Sequence, residues 1–254
     1  MITTTGLRAA AMGVLVAATA STAAAAQSLA ERVAAVNSGN VRFSFETRDG
    51  VCGNGSNISI RDRGTSEWES DCEPGPARVL LRVDGGRVRS IETRVGGRWR
   101  EGTGSTDLGM IPPAEASAYL IRLAEQDTDD GDDAVFAATL ARDVTVWPEL
   151  LRIARDEGVR EDTRKSAVFW LGQAAGDRAT AALDSIVTED GDREVRKAAV
   201  FALSQRPEEE GVPALIRVAR THSDPQIRRD ALFWLGQSED PRALDLFEEL
   251  LEAE

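Results

Sequence analysis

The sequence predicts a mainly α fold with a small β part: an α-solenoid of about four helix pairs over residues 112–254, preceded by a small disulfide-linked β-rich domain over residues 41–111. Three observations carry this. A ten-residue pattern recurs at a fixed interval in the second half, while in the first half apolar and polar residues alternate. The only two cysteines, Cys52 and Cys72, both fall within the β-like region.

Before either half stands a stretch of different character. In residues 1–26 the only charged side chain is Arg8; Ala9 to Ala20 form a short apolar run, and Ala24-Ala25-Ala26 precede Gln27. A charged start, a short apolar centre and an A-x-A exit are the marks of a secretory signal peptide. The run is too short and too alanine-rich to span a bilayer comfortably. The expected mature protein therefore begins near Gln27, is exported to a periplasm or beyond the cell, and has no stable membrane insertion. In an oxidising compartment two cysteines most often pair. A Cys52–Cys72 bridge would contribute roughly 3 kcal/mol in the chain-entropy model.

Residues 27–40 read as a short helix and linker, with the helix over Ser28 to Val36. Val41, Phe43 and Phe45 then alternate with Arg42, Ser44 and Glu46, the period of a half-buried strand. Val79, Leu81 and Val83 repeat the period, and Asp84-Gly85-Gly86 supplies the backbone freedom for a hairpin. A return strand is expected from Arg87 to Val95, closed by Gly96-Gly97. The Gly/Ser/Asn-rich stretch from Gly50 to Gly64 reads as turns around Cys52. Together these predict one small sheet, with the disulfide supplementing a thin core.

Pro112-Pro113 marks a stop followed by a helix start. Beyond it the spacing becomes helical and repeats. Arg164 to Gln173 reads RKSAVFWLGQ, Arg196 to Gln205 reads RKAAVFALSQ, and Arg228 to Gln237 reads RRDALFWLGQ, each 32 positions after the last. A weaker copy, Ala134-Val135-Phe136, lies 33 positions before Ala167. Second helices follow each copy, carrying Leu150 and Ile153, Leu183 and Ile186, Leu215 and Val218, and Leu244 and Phe247. Asp192 and Asp224-Pro225 supply caps at helix starts. Helix pairs of this length bury their apolar stripes only by stacking on neighbours.

The pattern Asp-x-x-[Val/Ile]-Arg, then Ala-x-x-x-Leu, then Ala-Leu in the second helix resembles HEAT repeats. It is similar in particular to the short HEAT-like type also found in phycobilin lyases. Asp192 to Leu203 and Asp224 to Leu235 carry the resemblance best, whereas the Thr163 unit has Arg160 where the aspartate belongs. The resemblance covers roughly residues 130–254 and implies scaffolding and partner binding.

Several residues invite functional readings. Arg164, Arg196 and Arg228 form either a ladder facing a ligand or bridges to acidic residues of adjacent units; the structural role is favoured. Gln173, Gln205 and Gln237 fall near helix ends, where carbonyls lack partners, and read as caps or inter-repeat hydrogen-bonding groups. Trp170 and Trp234 share one motif position, filled by Ala202 between them, and read as packing residues. Trp68, Trp99 and Trp147 lie outside the motif. The run from Asp127 to Asp133 fails the EF-hand pattern, because its sixth and twelfth positions are Asp132 and Ala138; it reads as an acidic linker. His222 is the only histidine and has no visible nucleophile beside it. One histidine and two bridged cysteines do not make a zinc site. No catalytic, metal or cofactor-binding residues are expected.

Charge narrows the partner. The region from Val41 to Gly104 holds 11 Arg against 10 Asp and Glu, whereas Pro113 to Glu254 holds 17 Lys and Arg against 31 Asp and Glu. Such an acidic half repels phosphate backbones, so nucleic acid is not the expected partner. The expected function is an exported scaffold that binds a partner protein through the inner face of the solenoid, taken to be built from second helices. Arg152, Arg155, Asp184, Arg217, Arg220 and Asp245 are its candidate contacts. Two other readings stand beside it: a lyase-like or small-ligand-binding protein, and an envelope component in which the β-rich half recognises and the solenoid spaces.

Overall fold

The computed structural model describes residues 27–60, 72–97, 104–126, 128–173 and 177–252. The expected leader at residues 1–26 lies outside them, as do Trp68, Trp99 and Asp127.

The first element is α1 (Leu29–Ala34). Ser28 starts it with a capping box, its hydroxyl accepting from the Glu31 N–H while the Glu31 carboxylate accepts from the Ser28 N–H. The β-rich part then runs β1 (Gly39–Phe45), β2 (Val51–Asn54), β3 (Asn57–Ile60), β4 (Glu73–Pro74), β5 (Ala77–Asp84), β6 (Arg87–Arg94) and β7 (Ser105–Met110). Val41, Phe43 and Phe45 of β1 are buried, as are Val79, Leu81 and Val83 of β5, so the alternation reads the core face correctly. The β5–β6 hairpin turns at Gly85 and Gly86, both at positive φ.

Two expectations about this region need correction. The strands form two sheets where one is expected: a four-stranded sheet in the order β6-β5-β1-β7 and a three-stranded sheet in the order β3-β2-β4. The glycine-rich stretch after Gly50, read as turns, holds the β2–β3 hairpin as far as Ile60. Its glycines are there for closeness as well as for turning. A Cβ on Gly53 would lie 2.7 Å from the Asn57 carbonyl oxygen and 2.9 Å from that of Val95, so only glycine lets this strand pack against the end of β6. Gly55 and Val95 exchange both backbone hydrogen bonds there, each at 2.9 Å. The Cys52–Cys72 disulfide joins β2 to the residue that precedes β4.

The helical part begins with α2 (Pro113–Ala124) and continues through α3 (Gly131–Thr139), α4 (Trp147–Arg155), α5 (Glu161–Gly172), α6 (Asp177–Glu189), α7 (Arg193–Ser204), α8 (Glu208–Thr221), α9 (Pro225–Leu235) and α10 (Pro241–Glu252). From α3 onward these are four pairs, with first helices α3, α5, α7 and α9 and second helices α4, α6, α8 and α10. Asp192 and Asp224 cap α7 and α9, each accepting from the N–H two residues on, at 2.8 and 2.9 Å. Arg160 makes no such cap on α5.

The repeated arginines hold the stack together. Arg164 donates to the Ala154 carbonyl at the end of α4 (3.0 Å) and to Asp190 ahead of α7 (2.6 Å). Arg196 repeats the arrangement, reaching the Asp190 carbonyl at 3.0 Å and the Asp224 carboxylate at 3.3 Å. Arg164 and Arg196 thus satisfy carbonyls at the end of a second helix and reach an acid ahead of the next first helix, as the structural reading expects, whereas Arg228, among the described residues, hydrogen-bonds only the His222 and Ser223 carbonyls.

Consecutive first helices lie closer to one another than consecutive second helices do. The first helices therefore form the more tightly packed, inner row of contacts, whereas the expectation gave the inner face to the second helices. Small residues allow the closeness. A Cβ on Gly172 would sit 2.9 Å from that of Ala202, so α5 and α7 nearly touch at their backbones. This is also why Ala202 interrupts the tryptophan position: a large ring has no room against Gly172.

Sheet and solenoid share a continuous apolar core. Backbone bonds bolt them together: the Arg48 N–H donates to Leu140 O at 2.8 Å, and the Arg142 N–H to Glu46 O at 3.0 Å. Asp130, within the acidic run, accepts from the Ile91 N–H of β6 at 2.8 Å. Among the described residues no helix is long and apolar enough to cross a membrane.

Candidate functional site

The six residues proposed from sequence all fall on second helices, which form the outer row. Five of them are engaged with neighbouring helices. Arg152 pairs with Glu125 at the end of α2, and Arg155 with Ser185 and Glu189 of α6. Asp184 and Arg217 pair with each other at 2.9 Å, and Arg220 pairs with Glu249 of α10. Asp245 is exposed on α10. The outer row is thus laced by ion pairs that run from one second helix to the next.

His222 is equally occupied. Its Nδ1 accepts from the Asp224 N–H at 3.1 Å, which leaves the proton on Nε2 to donate to the Val187 carbonyl at 3.0 Å. One nitrogen closes the turn between α8 and α9, and the other ties that turn to α6. Among the described residues no three His, Cys, Asp or Glu side chains gather as a metal-binding group.

The inner row presents a different surface. Phe136 of α3 stacks on Trp170 of α5 with ring centroids 5.2 Å apart. Trp170 meets Phe169 edge-on at 5.1 Å, and Phe169 stacks on Phe201 of α7 at 6.3 Å with the planes only 11° apart. Phe201 leans on Trp234 of α9 at 4.9 Å, and Trp234 meets Phe233 edge-on at 5.1 Å. Six rings thereby form one unbroken chain across four units, half-buried along most of its length and exposed at Phe169 and Phe233. Trp170 and Trp234, read from sequence as packing residues, are half-buried members of this chain. Their other faces belong to the surface.

The repeated glutamines border the rings. Gln173 and Gln205 occupy the ends of α5 and α7, but their backbone N–H groups, and not their amides, close those helix ends. Of their side chains, the Gln205 amide donates to Ser204 Oγ at 3.2 Å. The expected inter-repeat bonding of these amides gives way to a different placement, because Gln173, Gln205 and Gln237 are all exposed beside the aromatic chain. Between α3, α5 and the β2–β3 hairpin lies an open cleft of about 330 Å³, lined by Phe136, Phe169, Trp170, Gln173 and Gln205 on one side and by Arg48, Ile58 and Ile60 on the other. Aromatic faces offer stacking and apolar area, and exposed primary amides offer both donors and acceptors. Such a lining suits the backbone and side chains of a polypeptide.

The signal for this surface was present in the sequence. Phenylalanine recurs at one motif position in every unit, as Phe136, Phe169, Phe201 and Phe233. A position buried among neighbours and one exposed on the inner row repeat with the same period, so periodicity alone does not separate them.

The architecture defines the C-terminal part of the chain as an α-solenoid of stacked helix pairs. Residues 148–221 and 183–254 match the family model of HEAT repeats, in two overlapping stretches. Residues 148–254 of this protein are therefore HEAT repeats. No curated protein matches the chain.

Proposed function

We propose that this protein is an exported scaffold whose HEAT solenoid holds a partner protein against its inner row of first helices. The observation that carries the reading is the six-ring aromatic chain with its exposed glutamines, which spans four units without a break. Interfaces draw much of their affinity from a few anchors, aromatic ones prominent among them, that become fully desolvated on binding. The outer row supports the choice by contrast, since its arginines are each paired with a carboxylate of a neighbouring helix or helix end. Ile58 and Ile60 line the same cleft as Phe169, so the β-rich part contributes to the surface. Export is supported by the leader-like residues 1–26 and by the Cys52–Cys72 disulfide, which persists in oxidising surroundings.

The test is affinity capture of the chain from Gln27 onward, oxidised, from an envelope extract, beside a Phe169→Ala, Gln205→Ala variant. The expected result is a stoichiometric partner that the variant loses while its melting temperature stays within a few degrees. A partner held equally well by the variant would rule out the inner row as its site.

A further inference from the structure

Two pockets beside the aromatic chain are copies of one another. The first, of about 350 Å³, lies where α3 turns into α4, and Thr139, Leu150, Trp170 and Gln173 are among its lining. The second, of about 360 Å³, lies where α7 turns into α8 and has Ser204, Leu215, Trp234 and Gln237 at the same places. Each of these four residues stands 64 or 65 positions after its counterpart. The likeness extends to bonding: Thr139 donates its hydroxyl proton to the Phe136 carbonyl and Ser204 to that of Phe201, both at 2.7 Å. Trp170 rests on Phe136 and Phe169, and Trp234 on Phe201 and Phe233. Trp170 keeps these neighbours with two further units stacked beyond it, so the pocket is a property of a unit junction. At the junction between the two, Gly172 takes the hydroxyl position and Ala202 the ring position, and their close approach leaves no room for an indole.

The cleft beside the β2–β3 hairpin joins the pockets. It shares Trp170 and Gln173 with the first and Gln205 with the second, so one track runs along the stack from pocket to pocket. Exposed amides follow it at one per unit, as Gln173, Gln205 and Gln237, while the two indoles stand two units apart. Helices packed side by side lie about 8–10 Å apart. A polyproline II helix advances ~9 Å per three-residue turn and returns the same face at every turn, and its carbonyls are free of internal hydrogen bonds. A β-strand matches less well, because its side chains alternate and would face opposite ways at successive amides.

We propose that the track takes a proline-rich segment of the partner protein in the polyproline II conformation, with two prolines about six residues apart seated on Trp170 and Trp234. The proposal rests on the inner-row reading and names its occupant. The pyrrolidine rings lie against the indole faces, while the amides of Gln173, Gln205 and Gln237 donate to backbone carbonyls one turn apart. A segment already held in this conformation loses little freedom on binding. Glu208 and Glu239 stand exposed at the second pocket, and the helical half is strongly acidic, so the segment carries Lys or Arg beside its prolines.

Isothermal titration calorimetry of the oxidised chain from Gln27 onward with blocked synthetic peptides tests this. One peptide holds nine prolines and another four, each with a lysine at both ends; at ~3.1 Å per residue only the longer reaches both pockets. The longer should bind one to one and at least about tenfold more tightly than the shorter, the gain of a second linked site. A glycine-serine peptide of the longer length and the same charge should bind at least about tenfold more weakly than its proline counterpart. Trp170→Ala and Trp234→Ala should each bring the longer peptide down to the affinity of the shorter. Gln173→Ala with Gln237→Ala, changes at exposed side chains that leave the rings in place, should weaken the longer peptide by at least about fivefold. Equal affinity for the two proline peptides, no binding up to millimolar peptide, affinity unmoved by the tryptophan and glutamine changes, or preference for a β-1,4-linked N-acetylglucosamine hexamer would each overturn the proposal. Loss of a captured partner by the Phe169→Ala, Gln205→Ala variant would keep the inner row as the binding face even then, so the two readings fail separately.

Discussion

Arg164→Ala removes the cation of an ion pair that is the most buried among the described residues of the solenoid. Arg164 and Asp190 have side chains only 5% exposed, and the guanidinium also donates to the Ala154 carbonyl at 3.0 Å. The substitution strands the Asp190 carboxylate, whose other hydrogen bond is from the Asp192 N–H at 2.9 Å, and frees one helix-end carbonyl. Breaking a buried pair by removing one partner costs about 3–5 kcal/mol, most of it the penalty of an uncompensated buried charge. Arg220→Ala provides the contrast: Arg220 and Glu249 form the same kind of bridge between units, but their side chains are 48% and 61% exposed. Exposed pairs of this sort contribute at most about 1 kcal/mol. The assay is urea unfolding of oxidised protein, followed by far-UV circular dichroism, with midpoints compared at equal slope. Arg164→Ala should lower the midpoint several times more than Arg220→Ala. A double change to Arg164→Met, Asp190→Leu should recover most of the loss, since it leaves no buried charge. Equal and small effects at both sites would refute the idea that the ladder arginines hold the units together.

Three further expectations follow from the same geometry. Gly172→Ala gains up to about 1 kcal/mol of helix propensity. It also forces α5 and α7 apart, at an overpacking cost of about 1–3 kcal/mol, so thermal unfolding should show a net loss that Gly172→Ala, Ala202→Gly partly recovers. Acid should destabilise the C-terminal units. The Arg242 side chain and backbone N–H hold the Asp240 carboxyl down at about 2, and the Gln226 N–H, with Arg193 and Arg196, holds that of Asp224 below its ordinary value. Depressed carboxylates contribute stability that is fully present above their unfolded value of about 4 and is lost as pH falls through the folded one. The melting temperature should therefore drop between pH ~4 and ~2, and less so in Asp240→Asn. Reduction of Cys52–Cys72 should speed amide hydrogen exchange in β2 and β3 while leaving α7 to α10 unchanged, because the bridge lies within the small sheet.

Repeat architecture was the most legible part of the sequence, because each unit states its pattern again and agreement among Arg164, Arg196 and Arg228 replaces any single weak signal. The strands with clean alternation, Val41 to Phe45 and Val79 to Val83, were legible for the same reason: one face is buried and the other is not. What escaped was governed by contacts distant in sequence. The β2–β3 hairpin hides behind glycines whose purpose, closeness to Val95, exists only in the folded chain. β7 (Ser-Thr-Asp-Leu-Gly-Met) has no alternation, being an edge strand whose six residues are all at least partly exposed. The choice of inner row was not legible either, since it follows from Gly172 meeting Ala202 thirty residues away. Consequently the candidate surface moved from the charged second helices to the aromatic first helices. The phenylalanines that form it had been visible as a repeat but not as an exposed one.

The most direct test of the scaffold account places a photo-crosslinking residue singly at Gln173 and Gln205 on the inner row, and at Arg155 and Arg217 on the outer row. Each variant is irradiated in the cells that produce it, and adducts are resolved by mass. The account predicts a discrete protein adduct from Gln173 and Gln205 and none of comparable yield from Arg155 or Arg217. Adducts confined to the outer positions, or none from any of the four, would contradict it.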